Sequence, residues 1–246
     1  MFASARDLKS IETLMNSELE KVKEWCDVNR LSTNMSKTNF MIIKSSSKKD
    51  MNIDIHVITK DRSCHSLDRK DHIKYLGVMI DTTLSWKYHV SHNCSGISRN
   101  TGILSKLRHY LSIKQLVQLY YNLIYPFISY SILAWGSAYK CHIHKVQIKQ
   151  NKIVRLIFNE VTYGKHTETA LPLLNLLDIL TVNNVYSLYA LKFTYLWHKG
   201  LLPNIFNNFF QYASNIHNHN TRYASKQNLY KPCVKTNTGK QILVNK

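Results

Sequence analysis

The chain has 246 residues, 44% of them apolar and 20% charged, which is enough to bury a sizeable core in one or two domains and too apolar for a disordered tail. Its 33 Lys and Arg against 15 Asp and Glu give a formal charge of +18, beyond what solubility requires and of the sign that nucleic acid or an anionic membrane attracts. Five widely spaced cysteines (Cys26, Cys64, Cys94, Cys141, Cys233) contain no C-x-x-C pair, so neither a disulfide framework nor a zinc ribbon is indicated and they read as reduced intracellular thiols.

The N-terminus, MFASARDLKS, reaches Arg6 and Asp7 before an apolar run develops, so no secretory signal is expected and the chain is placed in the cytoplasm or nucleus. Residues 7–30 predict a helix. Leu8, Ile11, Leu14, Met15, Leu19, Val22 and Trp25 recur at three and four, with Glu20, Lys23 and Glu24 on the wet side, so this stripe is expected to face something apolar. A polar joint leads to a short β-type run at Phe40–Ile43, an exposed turn rich in Ser and Lys, a strand at 53–58 and then "IKYLGVMI" at 73–80. One helix followed by short strands predicts an α+β unit.

From Ser85 the pattern becomes helical. Val90, Cys94, Ile97, Thr101, Leu104 and Leu111 mark a helix over about 86–110, with Lys87, Arg99, Lys106 and Arg108 on its other side. The stretch from Lys114 to Lys140 holds no charge and is long enough to span a bilayer. Gln118, Asn122, Ser129, Ser131, tyrosines spread through its depth and a dividing Pro126 instead predict a buried helix pair, 114–125 and 126–136. In "HIHKVQIKQNKIVRLIF" (142–158), Val146, Ile153 and Ile157 point inward while Lys145, Lys149, Lys152 and Arg155, spaced four, three and three, predict one basic ridge. Residues 167–210 are helical with breaks near Pro172, Gly200 and Pro203, and the basic tail after 213 has no period.

Charge shifts where the strands end. Residues 1–81 carry 14 basic and 12 acidic side chains, net +2, and residues 82–246 carry the remaining 19 and 3, net +16. The expected organisation is therefore 1–81, 82–165, 166–212 as a helical extension, and a loosely ordered tail at 213–246.

Taken in order, "LEKVKEWCDVNRLSTNMSKTNFMII", "IKYLGVMIDTTLSWKYHV", "LYYNLIYPFISYSILAWG", "IKQNKIVRLIF" and "HNHNTR" resemble the region that follows the catalytic centre in reverse transcriptases of LINE-type (non-LTR) retrotransposons. The resemblance implies the end of a palm, a primer-grip hairpin and a helical thumb with a downstream region. It assigns Lys74, Tyr75, Leu76 and Gly77 to the primer grip, where a braced hairpin holds backbone amides at fixed spacing for a phosphate backbone. Tyr75 offers a ring for sugar or base, or fills a core. It places Lys37 where a pyrophosphate-side general acid stands in a complete enzyme, with a solvated turn lysine as the plain alternative. The partner implied is primer–template nucleic acid or an RNA–DNA hybrid, not a membrane. The phosphate track expected for it is Lys145, Lys149, Lys152 and Arg155 with Lys106 and Arg108.

The resemblance departs at one place. In the family the helix at residue 7 follows a strand bearing Tyr/Phe-Ala-Asp-Asp, whereas here Met1 opens directly on "FASARDL" and no Asp-Asp pair occurs in the sequence. Two-metal nucleotidyl transfer needs carboxylates clamping cations about 3.5–4 Å apart. No catalytic residue and no metal or other cofactor is therefore expected for this chain, with Mg2+ reserved for a complete polymerase. Two alternatives stand beside an inactive polymerase fragment: a stand-alone helical nucleic-acid-binding or interaction protein, and a partial gene product of an active enzyme. His89, His92 and Cys94, and Cys141, His142 and His144, carry metal-capable atoms at spacings that scatter round a helix. His217, His219, Thr221 and Arg222 belong to the tail motif, and Cys64 has only His65 beside it, so no nucleophile triad is visible.

Overall fold

The computed structural model describes residues 1–5, 7–45, 53–58, 64–158, 170–216, 228–235 and 239. It divides into two compact units, residues 1–84 and 85–246, and its architecture is α+β: a leading helix, small two-stranded sheets, and then helices.

In the first unit α1 (Leu8–Val28) starts where Asp7 accepts a 2.9 Å bond from the Ser10 amide, satisfying one of the free N–H groups of the first turn. Its surface carries the i,i+3 and i,i+4 ion pairs Glu18–Lys21 and Lys23–Asp27. Strands β1 (Asn39–Phe40) and β4 (Asp68–Arg69) pair in parallel, and β2 (His56–Ile58) pairs antiparallel with β3 (Cys64–Ser66). A third pair, β5 (His72–Tyr75) and β6 (Val78–Asp81), is an antiparallel hairpin in which Lys74 stands opposite Met79 and Tyr75 opposite Val78. Leu76 and Gly77 link its strands with φ of 45° and 82°. Two consecutive left-handed residues match the twist of a tight hairpin, and glycine takes the second without strain.

The core of this unit is small: Ile55, Val57 and Leu67 are buried, with Met15, Leu19, Met35, Phe40 and Ile53 against them. Asn16 fastens α1 to this sheet, its Oδ1 accepting from the His56 amide at 3.2 Å and its Nδ2 donating to the Asp54 carbonyl at 3.3 Å. The expected apolar stripe of α1 is covered only in part, and the helix buries no residue completely. Met15 and Leu19 reach the cluster, whereas Leu14, Val22, Trp25 and Val28 stay exposed, because the sheet segments are too short to spread across a helix of 21 residues.

The second unit is helical: α2 (Lys87–Leu107), α3 (Ile113–Leu123), α4 (Tyr125–Ser129), α5 (Ile132–Trp135), α6 (Lys140–Ile157), α7 (Leu171–Leu176) and α8 (Val182–His198). Ser112 and Gln115 close a capping box on α3, and Thr181 caps α8 by accepting from the Asn184 amide. The uncharged stretch is the centre of this unit. Tyr120, Ile124, Ile128, Ile132 and Trp135 are almost wholly buried and meet Val90, Ile97 and Leu104 of α2 and Val146, Ile153 and Val154 of α6. The stretch is broken into three helices rather than one, and among the described residues no helix is long and apolar enough to cross a membrane. Leu174, Ile179, Val182, Val185 and Tyr186 join the same core.

Two glutamines of α6, Gln150 buried and Gln147 half-buried, lock this packing. Gln150 on α6 is fully buried, and its Nε2 donates to the Tyr120 hydroxyl and to the Leu180 carbonyl, both at 2.8 Å. Gln147, one turn earlier, accepts from the Val182 amide at 3.0 Å, so α6 holds the start of α8 in register. Burial drives the Tyr120 phenol far above its ordinary range. Beneath the second half of α8, Phe193 and Trp197 pack against Phe206, Phe209, Phe210 and Tyr212 with edge-to-face and tilted ring contacts.

Candidate nucleic-acid interface

The ridge on α6 follows from its two periodicities. Ile143, Val146, Gln150, Ile153, Val154 and Ile157 form the buried side, and at 100° per residue Lys145, Lys149, Lys152 and Arg155 fall within an arc of about 120° on the other. Lys145 and Lys152 are exposed, and Lys149 and Arg155 are half-buried. From Lys145 to Arg155 is ten residues, about 15 Å of helix at 1.5 Å per residue. No carboxylate lies anywhere in the sequence between Thr82 and Asn159, so no acid from this stretch neutralises the ridge.

α6 packs along α2, and the ridge borders that contact. Burial holds the half-buried Cys94 thiol of α2 above its usual range, while the ammonium groups of Lys149 and Lys145 on the neighbouring α6 act in the opposite direction. On α2, Lys87, Ser91 and Ser98 project within about 60° of Cys94. A cationic row beside small hydroxyl side chains suits a sugar–phosphate backbone, which needs charge and close approach but no base reading. Neither serine stands out in the sequence by charge or by motif. Their signal was the i, i+3, i+7 run of small residues at 91, 94 and 98.

Lys106 and Arg108 lie elsewhere along α2. Lys106 is twelve residues beyond Cys94, about 18 Å along the axis, and is exposed in the last helical turn, where a cation complements the helix dipole. Arg108 caps the same end, its Nε donating to His109 Nε2 at 3.3 Å.

The hairpin residues form a tip. Lys74, Tyr75, Leu76 and Gly77 are all exposed, Tyr75 at 63% and Leu76 at 72%, so Tyr75 presents its ring to solvent and does not fill a core. Lys37 is exposed in the 3-10 turn Met35–Lys37, which Asn34 caps.

The metal-capable trios do not converge. His89 is buried with its ring edge-on to Trp135 at 5.5 Å, His92 is exposed, and Cys94 faces the α6 side. Cys141 and His144 are exposed, while His142 rests against Tyr139. Among the described residues no three His, Cys, Asp or Glu side chains come together as a metal-binding group. His217, His219, Thr221 and Arg222 lie outside the described residues.

Known proteins share part of this sequence. Over 88 residues the chain is 33% identical to the probable RNA-directed DNA polymerase from transposon X-element of Drosophila melanogaster. Over 87 residues it is 30% identical to the RNA-directed DNA polymerase from mobile element jockey of Drosophila funebris, and also to that of D. melanogaster. The chain is similar to mobile-element RNA-directed DNA polymerases. Each alignment covers 34% of the chain and only 10% of the polymerase, so the chain matches about a tenth of each relative's length. No protein-family profile and no solved structure matches it.

Proposed function

We propose that this chain is a reverse-transcriptase fragment of the non-LTR retrotransposon type that grips a primer–template duplex and has no polymerase chemistry of its own. The observation that carries the reading is the α6 ridge: four cations on one 120° face, bordered by small side chains of α2, within a stretch free of carboxylates. In this reading residues 85–158 act as the thumb, and the β5–β6 tip acts as the primer grip. Its exposed Tyr75 rests on a sugar or base, and its backbone amides face phosphate oxygens. The partial similarity to RNA-directed DNA polymerases supports the same direction.

A ridge about 15 Å long meets about four phosphates of one strand, at one charge per 3.4 Å of axis. Four contacts contribute a salt slope of about −3.6, or roughly 10²-fold in affinity between 50 and 200 mM salt. The test is binding of an RNA–DNA hybrid across that salt range by the native chain and by the variant Lys145→Gln, Lys149→Gln, Lys152→Gln, Arg155→Gln, with circular dichroism as the folding control. The variant is expected to bind less tightly with a flatter slope and unchanged helicity. Equal affinity and slope in the two proteins refutes the ridge as the phosphate track. With template, primer, deoxynucleotides and Mg2+, the purified chain is expected to incorporate nothing; Mg2+-dependent extension refutes the inactive-fragment reading.

A further inference from the structure

The corner between α2 and α3 carries an aromatic ring and cations that the α6 ridge does not use. Tyr110 is 85% exposed, more than any other aromatic ring among the described residues. The turn that holds it is fixed on both sides. Its amide donates to the Leu107 carbonyl at 2.9 Å and the Leu111 amide donates to the same carbonyl at 3.1 Å, while the Leu111 side chain packs against the helical core. Two residues after the ring, the amide and the hydroxyl of Ser112 each donate to Gln115 Oε1 at 2.9 Å and close the capping box of α3. A flat ring presented by a braced turn has little freedom to lose when another ring stacks on it.

The charges beside this ring are positive. Lys106, Arg108 and Lys114 all lie within four residues of Tyr110, with Lys106 and Lys114 exposed and Arg108 half-buried. Lys106 stands in the last turn of α2 and Lys114 in the first turn of α3, so both helices deliver a cation to the corner. No carboxylate occurs in the sequence between Thr82 and Asn159 to neutralise them. Cations around an exposed ring suit either a polynucleotide or an anionic bilayer, and the apolar area decides between them. Leu107 and Leu111 are half-buried, which leaves only Tyr110 and the 47% exposed Ile113, too little apolar surface to hold a bilayer interface.

We propose that this corner binds a nucleotide of an unpaired strand, with the Tyr110 ring stacked on its base and Lys106, Arg108 and Lys114 holding the neighbouring phosphates. Every base has a π-face, so such a contact tolerates any sequence, but the base must stand outside a duplex stack. The proposal rests on the nucleic-acid reading above and adds an unpaired strand to it. The ridge takes phosphates whether or not bases are attached, whereas the corner requires a base.

The test is binding of the nucleic-acid-free full chain to a single strand of about 12 deoxythymidines and to a strand of equal length and charge whose sugars carry no base. The native chain is expected to prefer the base-bearing strand by at least about fivefold. Tyr110→Ala should remove that preference and leave affinity for the abasic strand unchanged, while Tyr110→Phe and Tyr110→Trp should keep it. The side chain is exposed, so circular dichroism should match the native chain in all three. Equal binding of the two strands by the native chain, a preference that survives Tyr110→Ala, or its loss in Tyr110→Phe overturns the stacking site. An effect of Tyr110→Ala seen only on phosphatidylserine vesicles overturns it in favour of a membrane contact. The α6 ridge variant should weaken both strands and keep their ratio. A ridge variant that binds as the native chain does, with the base preference intact, refutes the ridge and leaves the corner standing; binding of neither strand overturns both.

Discussion

α2 contains two glycines for which opposite stability effects are expected. A Cβ built on Gly96 would press on Cε1 of Phe127 and lie 2.7 Å from its Cζ and 3.0 Å from its Cδ1, whereas a Cβ on Gly102 meets nothing within 4 Å. Carbon atoms settle at about 3.5–4.0 Å, so the ring must retreat by about 0.8 Å or more. Its backbone resists: the Phe127 carbonyl accepts from Asn93 Nδ2 at 2.9 Å, the Phe127 amide donates to Ile124 at 3.0 Å, and Ile128 beside it is wholly buried. Overpacking of this kind costs about 1–3 kcal/mol, offset in part by the 0.5–1 kcal/mol that alanine gains over glycine inside a helix. Gly96→Ala should therefore destabilise by about 0.5–2 kcal/mol, and Gly102→Ala should stabilise by about 0.4–1 kcal/mol through the unfolded chain alone. Urea unfolding followed by tryptophan emission reads this unit, which holds Trp86, Trp135 and Trp197. With a slope of about 1–3 kcal/mol per molar, the two variants should bracket the native midpoint. A Gly96→Ala midpoint at or above the native one would refute the close packing of α2 on Phe127.

Gln150→Leu keeps the volume of the side chain but strands the Tyr120 hydroxyl and the Leu180 carbonyl, for an expected loss of about 2–4 kcal/mol. Adding Tyr120→Phe should recover part of it, and a neutral single variant in thermal unfolding would contradict the buried network. His89 carries a pH prediction. Burial, with a smaller push from His92, lowers its pKa from 6.5 to about 4, and Asn93 Nδ2, which also donates to the Phe127 carbonyl, is 3.2 Å from its Nε2, so the ring accepts as the neutral form. The unfolded chain takes up this proton near pH 6.5 and the folded one only near pH 4. Its contribution is thus full above pH 6.5 and is lost as the pH falls through that window. The urea midpoint should drop between pH 7 and pH 4.5 and drop less in His89→Gln; equal pH slopes would remove His89 as the cause.

Local pattern was legible wherever an element was long. The helices at 8–28, 87–107, 113–123 and 140–157 repeat their apolar residues over several turns, so each side of α6 could be named from spacing, and the hairpin was marked by its turn glycine. β3 and β4 have three and two residues, too few for a period of two to appear, and their pairing depends on partners at positions 56–58 and 39–40.

Sequence alone determined the charge division, the α+β order and the basic face of α6, because net charge and helical periodicity are properties of neighbours along the chain. Tertiary structure decided which faces are covered. It buried Gln150 and His89, left Trp25 and Leu191 in solvent, and packed α2 along α6. Each of these depends on which element arrives opposite. A residue's own period states the direction its side chain takes from the axis, and only packing supplies what meets it there.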